Sequence, residues 1–321
     1  ETQTAMQSPS SPSSTRVAVL DIGSNSFHLV VVEISDERVQ ILQKIKHKVR
    51  LAEGLSEEGY LSEEAIRRGL SVLKELDASI QSYAPDAVRI VATYTLRRAK
   101  NAHKFIKAAR KILAYPVEVI SGQEEARLIY KGVAHTNKLQ QETLVIDIGG
   151  GSTEFALGKA LLPLVARSLD MGCVSFTQKY FADGKLTEKN FERAITAAQQ
   201  QLARIEHEFS NLGWRQCLGT SGSIESMISM YCDDVEFSQH NLTLPQLENL
   251  KDYCLERGRI DRLELGEINQ LRTQVFPAGL AIMIAIFRSL GLDNLNYVTS
   301  ALREGVIYEM DDALRNKDIR E

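Results

Sequence analysis

Two glycine-rich segments, each placed just after an aspartate that ends an apolar run, have the residue types that bind phosphate. Asp21 precedes the loop 23–26 (Gly-Ser-Asn-Ser), and Asp147 precedes the loop 149–153 (Gly-Gly-Gly-Ser-Thr). Glycines leave consecutive backbone N–H groups open to a phosphate, and the hydroxyls add donors. An aspartate at this position suits Mg²⁺, which prefers few carboxylates together with phosphate oxygens. We therefore predict phosphate contacts from Gly23, Ser24, Asn25, Ser26, Gly149, Gly150, Gly151, Ser152 and Thr153, and a metal at Asp21 and Asp147.

A third loop of small residues lies at a predicted strand-to-helix junction. A helix N-terminus presents free N–H groups and the positive end of the helix dipole to an anion. Ordinary capping turns use the same residues, so this loop alone is a weak signal. Its candidate phosphate-binding residues are Gly219, Thr220, Ser221, Gly222 and Ser223.

Four cations alternate with other residues along a predicted strand at 39–50. Because side chains on a strand alternate between its faces, all four would share one face over about 20 Å, at about 3.3 Å per residue. Such a row could follow a polyanion longer than one phosphate, although a solvated strand face is an open alternative. The cations are Lys44, Lys46, Lys48 and Arg50.

The order of predicted elements indicates an internal duplication. An apolar strand, an aspartate, a glycine turn and a second strand occur at 17–34 and again at 144–157, with the two aspartates 126 residues apart. One duplicated supersecondary unit explains this order. The sequence therefore predicts two α/β lobes facing a cleft, at 16–128 and 129–321, after a Ser/Pro-rich disordered tail at 1–15.

Composition limits the partners and the compartment. The chain has 321 residues and a net charge of −4, which argues against bulk attraction to nucleic acid or to an anionic membrane. Its longest apolar stretch, 276–287, is shorter than the ~20 residues of a membrane helix. Four cysteines without paired spacing suit a reducing compartment, so a cytoplasmic location is expected.

Taken in order, the three loops resemble the phosphate loops of the actin/Hsp70/sugar-kinase superfamily. Three further segments resemble the exopolyphosphatase/guanosine pentaphosphate phosphohydrolase family: ATYTLRRAKNA at 92–102, VISGQEEARLIYKGVAHT at 119–136 and ALREGVIYEM at 301–310. The resemblance covers roughly residues 16–320. It implies two actin-like (ribonuclease H-like) lobes with mixed sheets and a Mg²⁺-dependent phosphoric anhydride hydrolase.

The resemblance also implies roles for single residues. Glu125, at the start of a predicted helix beside the cleft, would be the base that takes a proton from the attacking water. Glu154 would orient water or, with Asp147, bind Mg²⁺. Arg97 would contact phosphate with its planar fork. Arg303 is a weaker candidate, because an arginine near a helix start can equally be a structural ion-pair partner. The family usually has Asp-Gly before this motif, whereas this chain has Thr299-Ser300, which puts a ligand contact of that turn in doubt.

Several functional alternatives stay open. The substrate would be guanosine pentaphosphate, converted to the tetraphosphate of the stringent response, or the end of inorganic polyphosphate. Several short segments of the sequence look closer to the guanosine pentaphosphate enzymes, which favours the first. A nucleotide-binding switch, an actin-like kinase and a non-catalytic alarmone sensor are the alternatives of other classes. Longer family members carry a C-terminal HD-type domain that often contributes to dimerisation and to the binding of long polyphosphate chains. The sequence stops about where that domain would begin, so weak processivity is expected and a homodimer is left open.

Overall fold

The computed structural model describes residues 14–36, 38–232, 241–270 and 272–318. The predicted disordered tail at 1–15 lies almost wholly outside the described residues, and the first strand begins at Thr15.

The first lobe is a five-stranded sheet with helices on its outer face. Its strands have the order β3-β2-β1-β4-β5, with β1 antiparallel to β2 and parallel to β4. Ser62 caps α1 by accepting a hydrogen bond from the Ala65 amide at 3.2 Å. The strands are β1 (Thr15–Ile22), β2 (Ser26–Ser35), β3 (Arg38–Lys48), β4 (Ala87–Ala92) and β5 (Val117–Val119), and the helices are α1 (Glu63–Tyr83), α2 (Tyr94–Arg98) and α3 (Ala102–Ile112).

The second lobe repeats this topology. Its first, second and third strands again form an antiparallel meander, and the next strand pairs in parallel with the first, so the sheet order is β10-β11-β9-β6-β7-β8. The strands are β6 (Glu142–Ile148), β7 (Thr153–Lys159), β8 (Leu162–Leu169), β9 (Gln216–Thr220), β10 (Asn241–Leu242) and β11 (Leu295–Tyr297). The matching order supports the inferred duplication, and the prediction of two α/β lobes with mixed sheets is confirmed.

Eight further helices complete the described part of the chain. The apolar segment at 276–290 forms α10, whose residues are nearly all buried in the core of the second lobe. The helices are α4 (Gly122–Asn137), α5 (Cys173–Tyr180), α6 (Glu188–Leu202), α7 (Glu206–Leu212), α8 (Gly222–Ser229), α9 (Leu244–Arg257), α10 (Phe276–Leu290) and α11 (Leu302–Asp318), and short 3₁₀ turns lie at Leu51–Gly54, Ile260–Arg262 and Glu267–Asn269.

Helices α4 and α11 pack between the two sheets and join the lobes. One buried cluster contains Val19 of β1, Val145 of β6, Val133 of α4 and Val306 of α11. The two helices cross closely, because a Cβ on Gly305 would overlap the Leu128 carbonyl group. The predicted domain boundary between 128 and 129 falls inside α4, which contacts both sheets, so that division stays a prediction.

The structure corrects several predicted elements. Strand β3 ends at Lys48, and Arg50 has a left-handed backbone (φ 54°), so Arg50 does not extend the row of strand cations. The segment 188–212, whose pattern is that of one long helix, forms two helices separated by turns that contain neither glycine nor proline. Strand β8, α2 and α9 were not predicted. β8 is an edge strand that carries Pro163, a residue that weakens a strand signal.

Two findings concern the state of the cysteines and the possibility of a membrane-spanning helix. All four cysteines are free thiols. Within the described ranges, no helix is long and apolar enough to span a membrane.

Candidate active site

The cleft lies where the carboxyl ends of β1, β4, β6 and β9 meet. In each lobe the parallel strands end on the same edge, so the loops after Asp21 and Asp147 face each other. Most of the predicted site residues line this cleft: Asp21, Gly23, Ser24, Asn25, Ser26, Lys46, Glu125, Asp147, Gly149, Gly150, Gly151, Ser152, Glu154, Thr220, Ser221, Gly222 and Arg303.

The first two loops are equivalent hairpin turns with amides available to an anion. The Gly23 amide donates to the Ser26 carbonyl at 3.2 Å, and the Gly149 amide donates to the Ser152 carbonyl at 2.9 Å. Within the described part of the chain, no acceptor takes the amides of Asn25 and Gly150. These N–H groups are the donors that a phosphate oxygen requires.

The two loops touch across the cleft, and two glycines make this contact possible. A Cβ on Gly150 would lie 2.9 Å from the Ser24 Cβ. A Cβ on Gly151 would overlap the ring of Tyr94, the first residue of α2. Larger residues at either position would therefore push the lobes apart.

Four carboxylates lie at the bottom of the cleft. Asp147 and Glu154 are direct cross-strand partners in β6 and β7, a position where like charges destabilise a sheet. Burial raises the pKa of Asp147 well above its usual value, and the charges of Glu154 and Asp21 raise it further. Burial also raises the pKa of Asp21 to about 6. The fourth carboxylate is Glu125, and two arginines offset part of the charge of the group: Arg97 pairs with Glu125, and Arg303 lies near Asp21.

Glu125 lies in the first turn of α4. The Ser121 hydroxyl caps this helix by accepting from the Glu124 amide at 3.1 Å, which fixes the turn that carries Glu125. Arg97 Nη1 lies 3.4 Å from Glu125 Oε2 and donates to the Ile120 carbonyl at 2.8 Å. Burial raises the pKa of Glu125 well above its usual range, and the charge of Glu154 adds to this rise. A raised pKa strengthens a carboxylate as a base.

Two serines hold Glu154. Ser168 on β8 donates to Glu154 Oε2 at 2.6 Å, and Ser152 in the second loop donates to Oε1 at 3.2 Å. Glu154 is 2% exposed. The side chain therefore has a fixed orientation in the cleft.

The carboxylates fit a divalent cation that takes some of its ligands from the substrate. Among the described residues, no three Asp, Glu, His or Cys side chains meet closely enough to form a metal site alone. Asp21 Oδ1 is buried and has no hydrogen-bond partner. Mg²⁺ usually takes one or two carboxylates and completes its shell with water and phosphate oxygens. The donor set of Asp147, Glu154 and Asp21 suits that mode of binding.

The third loop is strained and carries unpartnered hydroxyl groups. Ser221, which precedes α8, has a φ of 101°, a conformation that costs ~1–3 kcal/mol for a non-glycine residue. The buried hydroxyls of Ser221 and Ser223 have no hydrogen-bond partner. A Cβ on Gly222 would overlap the Arg272 guanidinium, so this arginine lies directly over the helix start. The loop is therefore suited to an anion.

Cations cluster on one side of the cleft. Lys46, Arg272 and Arg303 line it, and burial together with the charge of Arg272 lowers the pKa of Lys46 to about 8. Arg303 also lies 3.9 Å from Asp21. Lys44 and Lys48 share the strand face with Lys46 but do not line the cleft.

Some predicted phosphate ligands are engaged elsewhere. The hydroxyl of Thr153 donates to the Met171 carbonyl at 2.7 Å, and that of Thr220 donates to the Ser300 carbonyl at 2.8 Å. These hydroxyl hydrogens are thus already used inside the protein. Arg97, another predicted phosphate ligand, lies beside Glu125 instead. The residues predicted to bind anions that do not line the cleft are Arg97, Thr153, Gly219, Ser223, Lys44, Lys48 and Arg50.

Sequence reasoning missed several residues of the cleft. His28 pairs with Asp21 as Glu154 pairs with Asp147, and this match follows from the repeat because both pairs are seven residues apart. Burial lowers the pKa of His28 to about 2, so its imidazole is neutral. Arg272 follows a segment without periodicity, and no sequence signal indicated it. Other missed lining residues are Thr93, Tyr94, Cys173, Glu225 and Tyr297.

Comparisons with known proteins agree with this geometry. Residues 30–314 match the model of the Ppx/GppA phosphatase family. A Haemophilus influenzae protein named "Putative exopolyphosphatase" is 40% identical over 304 residues, which cover 95% of this chain and 94% of that protein. The solved structure of the Aquifex aeolicus PPX-GPPA enzyme superposes with a TM-score of 0.75 at 29% identity, covering 92% of this chain and 99% of the other.

A second solved structure shows the same fold. An exopolyphosphatase from Cytophaga hutchinsonii superposes with a TM-score of 0.84 at 25% identity, covering 93% of this chain and 98% of the other. The resemblance found in the sequence and the prediction of a phosphohydrolase are both confirmed. The chain belongs to the Ppx/GppA phosphatase family.

Proposed function

We propose that this enzyme releases orthophosphate from the end of a linear phosphoric anhydride chain, with inorganic polyphosphate as its first substrate. The observation that carries the proposal is the position of Glu125, a buried carboxylate of raised pKa beside two loops with free amides. The Haemophilus influenzae relative, which spans nearly the whole chain, is named for the same activity.

In this proposal the loop amides bind the non-bridging oxygens of the terminal phosphate. Glu125 accepts a proton from the water that attacks the terminal phosphorus, and Arg97 holds the Glu125 carboxylate in place. Loop amides also stabilise the charge that develops on the oxygens in the transition state. The shortened chain leaves with its new terminal oxygen, and orthophosphate leaves as the second product.

We propose Mg²⁺ as the cofactor, held by Asp147 and Glu154 with a contribution from Asp21. Bound there, the ion would neutralise phosphate oxygens and the crowded carboxylates. Ser168 and Ser152 orient Glu154 toward this position through their hydrogen bonds. Removal of divalent cations with EDTA is expected to stop turnover, and added Mg²⁺ is expected to restore it.

Guanosine pentaphosphate is a second candidate substrate. Lys46, Arg272 and Arg303 bring positive charge to one side of the cleft, next to Asp21, where a second anionic group could bind. A 3′-diphosphate is such a group, and so is the continuation of a polyphosphate chain. The preference for guanosine pentaphosphate expected from the sequence is thus untested, as are the homodimer that the sequence left open and the expected cytoplasmic location.

One comparison tests the proposed function. We expect kcat/KM with Mg²⁺ to be highest for inorganic polyphosphate, lower for guanosine pentaphosphate and lowest for ATP. A reversed order of the first two would assign the alarmone as substrate. Preferred turnover of ATP, or no phosphate release from any of the three, would contradict the proposal.

A further inference from the structure

One segment of the first lobe is strongly basic although the chain as a whole is acidic. Between Asp86 and Glu118 the sequence contains eight lysines and arginines and no acidic residue. The remainder of the chain has 30 such cations against 42 acidic residues. Seven of the eight cations lie on α2, α3 and the turn between them, and the eighth, Arg89 of β4, pairs with Glu118.

The cations of this segment lie on one exposed face. Phe105 and Ala109 direct the opposite side of α3 into the core, where both are fully buried. The outward residues Lys100, Lys104, Lys107, Arg110 and Lys111 are all exposed, and we call them the α3 cationic face. Positions 100, 104, 107 and 111 follow the spacing of neighbours along one side of a helix.

The α3 cationic face is not neutralised by the protein. Some cations elsewhere pair with acids, as Arg68 does with Glu64 at 3.2 Å and Arg288 with Glu248 at 2.6 Å. Within the described ranges, none of the five cations of the face forms an ion pair, and Lys100 lies over the Tyr60 ring at 5.5 Å from its centroid. An unpaired row of cations attracts a polyanion.

The topology connects this face to the cleft. Thr93 and Tyr94, at the carboxyl end of β4, line the cleft, and α2 and α3 follow directly. Since β4 and β5 are parallel neighbours, α3 must return the chain from the cleft edge of the sheet to the opposite edge. The face therefore starts near the active site and leads away from it for about 16 Å, at ~1.5 Å per residue.

We infer that the α3 cationic face is a binding site for the distal part of a long inorganic polyphosphate chain whose end lies in the cleft. The inference rests on the proposed function and assigns its substrate class. It also departs from the expectation of weak processivity, because a second contact retains a chain between successive cleavages. We assign polyphosphate rather than single-stranded nucleic acid, since sites for the latter add aromatic residues on which bases stack. The Tyr60 ring beside these five cations has Lys100 over it.

The test uses a triple variant, Lys104→Gln with Lys107→Gln and Lys111→Gln, which keeps side-chain length in a solvent-exposed row. A matched control replaces three exposed cations of the second lobe, Lys185→Gln, Lys189→Gln and Arg204→Gln, with the same change in net charge. For each protein, kcat/KM is measured with polyphosphate of several hundred units and with tripolyphosphate. Binding of labelled long polyphosphate is measured in the Glu125→Gln background, where it does not depend on turnover.

The triple variant should lose about tenfold in kcat/KM and in affinity for long chains, and its affinity should depend less steeply on salt. Tripolyphosphate kinetics and the control variant should stay within about twofold of the unaltered protein, since a surface charge far from the site contributes little. Equal losses on both substrates, or none, would overturn the inference. Loss of duplex DNA binding with unchanged polyphosphate binding would assign the face to nucleic acid and overturn it too. If no phosphate is released but long chains still bind through the face, the proposed function fails and the face stands.

Discussion

Arg97 and Glu125 form an ion pair at the point where β5 leads into α4. Nη1 of Arg97 lies 3.4 Å from Oε2 of Glu125, and the same nitrogen donates to the Ile120 carbonyl at 2.8 Å. The guanidinium thus holds both the candidate base and the backbone that precedes its helix. Arg97 does not line the cleft, so we assign it the role of positioning Glu125.

Replacing Arg97 by glutamine should lower kcat and leave KM nearly unchanged. The base would lose its anchor, and a misplaced general base costs about 10- to 100-fold in rate. Steady-state kinetics on polyphosphate measures both constants. Arg98→Gln, at an exposed neighbouring position, is the control and should behave as the unaltered enzyme. A raised KM with unchanged kcat would instead show a direct contact between Arg97 and phosphate.

Lys46 should make substrate binding depend on pH near its pKa of about 8. The ammonium group is charged below that pH and neutral above it, so attraction for the anionic substrate is present at pH 7 and lost as the pH rises through 8. We expect KM to rise about fivefold across this range, as ~1 kcal/mol of charge attraction would give.

Lys46→Met tests this assignment by removing the titrating group. Its KM should already be high at pH 7 and should change little up to pH 9. Lys44→Met, two residues earlier on the same strand but outside the cleft lining, is the control and should keep the pH dependence of the unaltered enzyme. A KM that still rises above pH 8 in Lys46→Met would remove Lys46 from the binding site.

Ser168 should affect the metal requirement through Glu154. Its 2.6 Å hydrogen bond orients the carboxylate, and losing such a supporting contact typically weakens a metal site about tenfold or more. Ser168→Ala is therefore expected to need about tenfold more Mg²⁺ for half-maximal activity. Ser82→Ala on α1, remote from the cleft, serves as control. An unchanged Mg²⁺ requirement in Ser168→Ala would argue against Glu154 as a ligand.

The crossing of α4 and α11 should tolerate no side chain at Gly305. A Cβ there would overlap the Leu128 carbonyl, so Gly305→Ala should lower the free energy of unfolding by about 1–3 kcal/mol. The same change at Gly279 in α10 meets only ordinary contacts, the nearest at 3.5 Å, and should be neutral or stabilising by about 0.5–1 kcal/mol. Thermal or denaturant unfolding compares the two. Equal effects would mean that the lobes are not joined through this crossing.

The sequence was sufficient to predict the fold where its patterns repeat. The two Asp-Gly loops and their hairpins recur with the same spacing, so both sheets and their cleft could be inferred from one duplicated unit. A serine just before an amphipathic stretch is a sequence signal for a helix start, and the Ser62 hydroxyl caps α1 in this way. Buried strands and long amphipathic helices can be recognised from the residue pattern of a short segment alone.

Other parts of the site depend on tertiary contacts that leave no local pattern. Arg272 reaches the cleft because it packs on Gly222, a residue 50 positions earlier in the chain. Ser168 reaches Glu154 only through the pairing of β8 with β7, and β8 itself was not predicted. The left-handed backbone at Arg50 ended a strand that alternation alone would have continued.

The most direct test of the mechanism is phosphate release by Glu125→Gln. The amide keeps the shape of the side chain but cannot accept the proton from water, so kcat should fall by at least about 100-fold. Affinity for polyphosphate should be retained. Tm should change little, because the substitution removes repulsion from Glu154 and Asp147 but also gives up the ion pair with Arg97. Glu124→Gln, at the adjacent half-buried position paired with Arg127, is the matched control and should retain activity. Release by Glu125→Gln at a rate close to that of Glu124→Gln would contradict the account.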